Sequence, residues 1–291
     1  MEKYKKGDGK GMEHIIRMAL LETFREELVI EERSDLTIEK YVRDVRAFLY
    51  SMGEDAVVTK ESVIRYKRKL TETYTPASVN SMIAALNRFF RMMEWYDCTV
   101  RSLKIQRSSF RSENKELSKE EYKRLLKAAK GKKDERMYLL METLGSTGIR
   151  ISELPFVTVE AVMQGRARVS LKGKTRQVLL PMELRRKLRA YAEQKKINTG
   201  SIFITRTGRP MDRSNVLHAM KRLAVEAGVS PEKVFPHNLR HLFACTYYQK
   251  EKDLSHLADL LGHSNINTTR IYTCISGEEQ EVKLKNLGLV I

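Results

Sequence analysis

Only one stretch of this chain carries a strand signature, and that restricts it to a mainly helical fold. In "RARVSLKGKTRQVLLP" two short runs rich in β-branched and apolar residues flank a "KGKT" turn, the pattern of a basic antiparallel hairpin. Nearly everything else alternates apolar and polar residues at helical spacing. "MEHIIRMALLETFREELVI" places Ile15, Met18, Leu21 and Leu28 on one side, which predicts a first helix. "LTIEKYVRDVRAFLYSMG" does the same with Tyr41, Val45, Phe48 and Leu49 and stops at Gly53. Thr59 is placed to cap a third helix. Thr75 caps a fourth, with Pro76 at the first helical position, where a missing N–H is harmless. This first part shows no strand signal, so a four-helix module is expected.

"RSLKIQRSSFRSENKEL" then breaks the periodicity with Ser and Arg. Helices restart at "LSKEEYKRLLKAA", where Ser118 and Glu121 have capping-box spacing, and after Met182 the chain again reads as helical. The expected organisation is a flexible arm over residues 1–12, a four-helix domain over 13–103, a basic linker over 104–116, a second domain over 117–276 and a tail over 277–291. The fold class is mainly α: a helical first domain, then a mostly helical α+β domain with one small antiparallel hairpin.

Charge narrows the partner. The chain's 291 residues include 54 Lys and Arg against 37 Asp and Glu, a formal net charge of +17, spread along its whole length. A folded basic surface of this kind suits a polyanion, above all nucleic acid. Cys98, Cys245 and Cys274 form no CxxC pair, which fits a reducing cytoplasm rather than a disulfide framework. No signal-peptide pattern or membrane-length apolar run is present, so a cytoplasmic protein without membrane association is expected.

Several chemically able residues stand beside glycine turns or helix starts. In "GSTGIRISEL", Gly145 and Gly148 loosen the backbone ahead of Arg150, with Glu153 placed to hold it. His237 and Arg240 are three apart and share a helix face, and His241 can join them. A zinc hydrolase built on His237 and His241 would need Glu after the first histidine, where Asn238 stands. An arginine on the same face repels a cation and suits an anion such as phosphate, which a guanidinium binds through two parallel hydrogen bonds. His263 follows a Gly262 turn, Tyr272 comes nine residues later, and His256 reads as structural.

Together, "STGIRISEL", "HNLRHLFA" and "LLGHSNINTTRIYT", in that order, resemble the boxes of the tyrosine recombinases, or phage-integrase family, near its Xer-like and transposon-type members. The resemblance covers nearly the whole chain, the four-helix module being similar to the family's core DNA-binding domain. It implies an active site of Arg150, Lys172, His237, Arg240, His263 and Tyr272. Lys172 is chosen over Lys174 because the family lysine precedes the turn glycine. Asn238 stands where the family often has Asp, a position outside the catalytic six.

The implied activity is site-specific recombination of double-stranded DNA through a 3′-phosphotyrosine, with no metal, nucleotide or other cofactor. Arg150 and Arg240 would clamp the scissile phosphate and His263 would add a hydrogen bond. Tyr272 would attack phosphorus, Lys172 would protonate the leaving 5′-oxygen and His237 would help deprotonate the tyrosine. The two domains would grip opposite faces of the duplex, with Ser78, Asn80, Ser81 and Arg88 as candidate base readers. The expected assembly is a homotetramer on two duplexes, monomeric or weakly associated off DNA, with the tail docking on a neighbour. The rivals are a type IB-like topoisomerase and a catalytically silent DNA-binding protein on the same fold.

Overall fold

The structure, a computed structural model, describes residues 14–105, 116–132, 134–171, 173–273 and 285–286. The chain divides into two compact units, residues 1–107 and 108–291. The arm over 1–12 and most of the 104–116 linker and of the 277–291 tail lie outside the described residues.

The first unit is built on four helices, α1 (Leu20–Ile30), α2 (Asp35–Met52), α3 (Lys60–Thr73) and α4 (Pro76–Met92). Their starts follow side-chain chemistry. Thr59 and Ser62 cap α3 reciprocally, and Thr75 accepts from the Ser78 amide ahead of Pro76. Gly53, at φ +90°, ends α2. The buried stripes Leu21, Phe24 and Leu28, then Val42, Val45 and Phe48, then Ile83, Leu86 and Phe90 converge on one core. Phe24 meets Phe89 edge-on at 5.4 Å, and Phe48 meets Phe90 edge-on at 5.7 Å, an arrangement favoured by the ring quadrupoles. Two asparagines of α4 bind the departing chain as a strand edge would. Asn80 donates to the Leu103 carbonyl at 2.9 Å and accepts from its amide at 2.6 Å, and Asn87 does the same with Val100 at 2.8 and 3.0 Å.

The start of this unit departs from the helical expectation. His14–Ile15 forms β1, paired antiparallel with β2 (Val57–Val58), and the helix begins only at Leu20. Burial alternates there, Ile15 outward and Ile16 inward, which is strand rather than helix periodicity. His14 is held from the side: its ring stacks on Trp95 at 4.8 Å and its Nε2 meets Asp97 at 2.8 Å. Those tertiary contacts override a segment whose apolar residues fit either period.

The second unit opens with α5 (Lys119–Gly131), whose capping box pairs Ser118 and Glu121 as expected, followed by α6 (Glu135–Thr147). Gly145 does not loosen the backbone. It sits within α6 where a Cβ would lie 2.7 Å from the Tyr122 hydroxyl, so its absence lets α5 pack closely. Gly148 closes α6 in the left-handed conformation at φ +62°. A 3₁₀ turn (Ile151–Phe156) and α7 (Val159–Gln164) lead to the hairpin, β3 (Arg166–Leu171) paired with β4 (Lys174–Leu179), Arg166 opposite Leu179 and Leu171 opposite Lys174. Gly173 takes φ +72° at its tip. Then come α8 (Met182–Gln194), α9 (Arg213–Glu226), α10 (Pro236–Glu251) and α11 (Leu254–Leu261). Helix α6 packs on α10, bringing the end of one beside the face of the other. Among the described residues no helix is long and apolar enough to cross a membrane.

Candidate active site

Arg240 is the centre of the site. On the second turn of α10 it is only 2% exposed, among the largest fully buried side chains. Its Nη1 donates to the Gly148 carbonyl at 2.5 Å, and its Nη2 donates to the Leu261 carbonyl at 2.7 Å and to His263 Nε2 at 3.0 Å. Among the described residues no carboxylate pairs with it directly. Burial first, and then the Arg150 charge, lower its titration to about 10.

His263 follows Gly262, which ends α11 at φ +63°. A guanidinium can only donate, so His263 Nε2 must accept; the ring proton then lies on Nδ1, 2.9 Å from the Oγ1 of buried Thr269. This fixes a neutral imidazole. Burial, followed by Arg240, Arg150 and Arg176, pushes the ring down to about 4. His237 is exposed on the first turn of α10, yet partial desolvation, and then Arg240, Arg150 and Arg213, also hold it below the usual histidine range.

Arg150 begins the 3₁₀ turn after Gly148, where a Cβ on the glycine would come 2.4 Å from Phe243 of α10. Its Nη1 donates to Glu153 at 2.9 Å and its Nη2 to the Gly262 carbonyl at 3.3 Å. Glu153 is buried at 3% exposure and takes two further bonds from Arg176, at 2.6 and 3.3 Å. Burial would raise its pKa, but the hydrogen bonds from Arg176 and Arg150 outweigh it and keep the carboxyl below the ordinary range. Two guanidiniums thus share one carboxylate, and with Arg240 beside them the site keeps a surplus of positive charge.

Tyr272 lies on a 3₁₀ turn (Arg270–Thr273), only 3% exposed, packed with Ala244, Cys245, Leu257 and Leu261. Its ring stacks with His263 at 6.3 Å and meets His241 edge-on at 5.1 Å. Burial raises its pKa, while the charge and hydrogen bond of Arg240 work against that rise. His241 therefore faces the tyrosine and Cys245, at 3.4 Å, rather than completing a metal pair with His237. Among the described residues the one cluster with metal-ligand spacing is His14, Asp97 and Cys98, in the first unit.

The structure brings His237, His263 and Tyr272 each within electrostatic reach of Arg150 and Arg240, with His263 near His237 and stacked on Tyr272. Lys172 lies outside the described residues, as does the side chain of Lys174. Sequence reasoning missed Arg176; its one signal was a basic residue two before Val178, on the face of the hairpin that buries Ala167, Val169 and Val178. Of the candidate base readers, Asn80 is engaged with the Leu103 backbone, Arg88 pairs with Glu27 at 3.5 Å and with Glu31, Ser78 bonds Thr75, and Ser81 is exposed. Asn238 donates to the Lys233 carbonyl at 2.7 Å, a structural use of the position.

A buried Arg240, a partly exposed Arg150, a neutral histidine and an enclosed tyrosine gather on a helical scaffold, a cationic site suited to an anion. The sequence matches the phage integrase family over residues 115–279 and the family's N-terminal SAM-like domain over 21–96. The chain belongs to the phage integrase family and is a site-specific tyrosine recombinase, a DNA strand transferase. It is 32% identical over 268 residues to tyrosine recombinase XerA of Thermococcus kodakarensis, covering 89% of this chain and 92% of that protein. Its fold is similar to a lambda integrase dimer bound to a COC′ core site (TM-score 0.71, 18% identity, 87% of this chain and 94% of that one). A lambda integrase tetramer bound to a Holliday junction is also similar (TM-score 0.67, 20% identity, 85% and 77%).

Proposed function

We propose that the chain recombines double-stranded DNA by a metal- and ATP-independent route through a 3′-phosphotyrosine on Tyr272. The observation that carries this reading is Arg240, a buried arginine bonded to carbonyls and an imidazole instead of a carboxylate, beside the tyrosine. A cation held in that way has undischarged attraction for an anion, and a phosphodiester supplies one. Arg150 and Arg240 bind the non-bridging oxygens and stabilise the charge that grows on them. The Tyr272 oxygen attacks phosphorus, the bond to the 5′-oxygen breaks, and Lys172 gives that oxygen its proton. His237 takes the phenol proton. As phosphate enters, Arg240 Nη2 turns to it, and His263 gains an Nε2 proton and becomes a donor. A 5′-hydroxyl then attacks the phosphotyrosine and reseals the strand.

Residues 13–103 act as the core DNA-binding domain, 104–116 as linker, 117–276 as the catalytic domain, and 277–291 dock on a neighbour. Ser81, exposed on α4, is retained as a base reader. The working assembly is a cytoplasmic homotetramer on two duplexes, a reading supported by the fold shared with the lambda integrase tetramer and by the need for four strand exchanges. The test is a nicked suicide duplex, chosen from a random-sequence library for covalent capture. A denaturing gel should show a protein–DNA adduct in EDTA and without ATP. Capture only with added divalent metal refutes the reading.

A further inference from the structure

Three consecutive carbonyls end α11, and each accepts from a different arginine. Leu260 takes Arg176 Nη1 at 2.6 Å, Leu261 takes Arg240 Nη2 at 2.7 Å, and Gly262 takes Arg150 Nη2 at 3.3 Å. A helix C-terminus carries unpaired carbonyls and partial negative charge, so it gathers cations. Two of these arginines are the proposed phosphate ligands; the third comes from β4. Gly262 makes room for it, since a Cβ there would lie 2.4 Å from Arg176 Cδ. Arg176 is tied at its other edge to Glu153, whose Oε2 also accepts from the Arg150 amide at 2.8 Å and whose Oε1 accepts from Arg150 Nη1 at 2.9 Å. Its side chain is 14% exposed against 39% for Arg150, so Arg150 reaches outward and Arg176 lies beneath it.

Resting on the strand-transfer reading, we propose that Arg176 is a positioning residue that acts through Arg150, by neutralising Glu153 and fixing the α11 corner whose Gly262 carbonyl Arg150 binds. Without Arg176 the buried carboxylate has one guanidinium left to satisfy it. Glu153 then draws Arg150 inward and cancels the charge meant for phosphate. The Leu260 carbonyl loses its donor as well, and the neighbouring Gly262 carbonyl that holds Arg150 shifts with it. A misplacement of the order of 1 Å at a reacting phosphate lowers the rate about 10²-fold.

The test is single-turnover cleavage of the captured suicide duplex by wild type, Arg176→Met, Arg176→Lys, Arg150→Ala and the double variant Arg150→Ala/Arg176→Met. Arg176→Met should cleave about 10²-fold more slowly at saturating DNA, with the half-saturating DNA concentration changed less than about 3-fold. Arg176→Lys keeps the charge but cannot bridge Glu153 and Leu260, and should recover about 10-fold of the loss. In the Arg150→Ala background, Arg176→Met should cost less than about 3-fold, because both changes remove one function. Losses that multiply, or an Arg176→Met rate near wild type, overturn the proposal. If Arg176→Met does not fold, the same cycle with Arg176→Lys decides. Failure of the wild type itself to form an adduct overturns the strand-transfer reading instead.

Discussion

Replacing Arg240 with Met separates what this residue does for folding from what it does for chemistry. The change orphans the Gly148 and Leu261 carbonyls, at 2.5 and 2.7 Å from the guanidinium. An unpaired buried acceptor costs about 1–3 kcal/mol, so the loss is about 2–6 kcal/mol for the two. Against this, the native state bears a buried cation: titration at about 10 instead of 12.5 means that the charged form is disfavoured by about 3 kcal/mol, which Met relieves. The two effects nearly cancel, leaving a net change between about 1 kcal/mol of stabilisation and about 3 kcal/mol of destabilisation, or a fall in Tm of roughly 10 °C at most. Catalysis has no such offset. Loss of a fixed donor to the transferring group slows cleavage on the order of 10²–10³-fold. Thermal melts and single-turnover cleavage on the same preparations check both numbers. A folded Arg240→Met protein that cleaves within a few-fold of wild type refutes the reasoning, and so does a Tm loss far beyond 10 °C, which would make Arg240 a structural staple.

Gly148→Ala should be destabilising by about 2–5 kcal/mol, since it combines a left-handed φ with a Cβ 2.4 Å from Phe243; a melt unchanged from wild type contradicts the packing. His263 is neutral near pH 7, its folded pKa of about 4 lying below the unfolded value. Its contribution to stability is therefore fully present above about pH 6.5 and lost as pH falls toward about 4, which pH-dependent denaturation of wild type against His263→Gln measures. Phosphate brings negative charge to the same arginines and raises the pKa of both His263 and His237. DNA binding should take up protons and tighten as pH falls from 7 to 5, and calorimetry in buffers of different ionisation enthalpy should detect that uptake.

Local chemistry made much of the fold legible. Thr59, Thr75 and Ser118 are caps by residue type and spacing, and the hairpin stands out against helical surroundings. The boxes that resemble a known family singled out Arg150, His237, Arg240, His263 and Tyr272 by residue type and order, and the structure gathers these residues around Arg150 and Arg240. What stayed hidden depends on distant partners. His14–Ile15 is a strand because Val57, Val58, Trp95 and Asp97 hold it. Arg176 is 23 residues from Glu153 and 84 from Leu260, so its inward place on the hairpin says nothing of its partners. Asn80 and Arg88 looked like a solvated reading face, and their partners Leu103 and Glu31 are likewise remote in sequence.

The central claim is that Tyr272 is the nucleophile, although it is buried and its pKa is raised. The direct test is to trap wild-type protein on the suicide duplex, digest the adduct with protease and nuclease, and locate the nucleotide-bearing peptide by mass spectrometry. The account predicts a 3′-phosphonucleotide on Tyr272 and no adduct from Tyr272→Phe, which should still bind the duplex with nearly wild-type affinity. A nucleotide on any other residue, or an adduct formed by Tyr272→Phe, would contradict it.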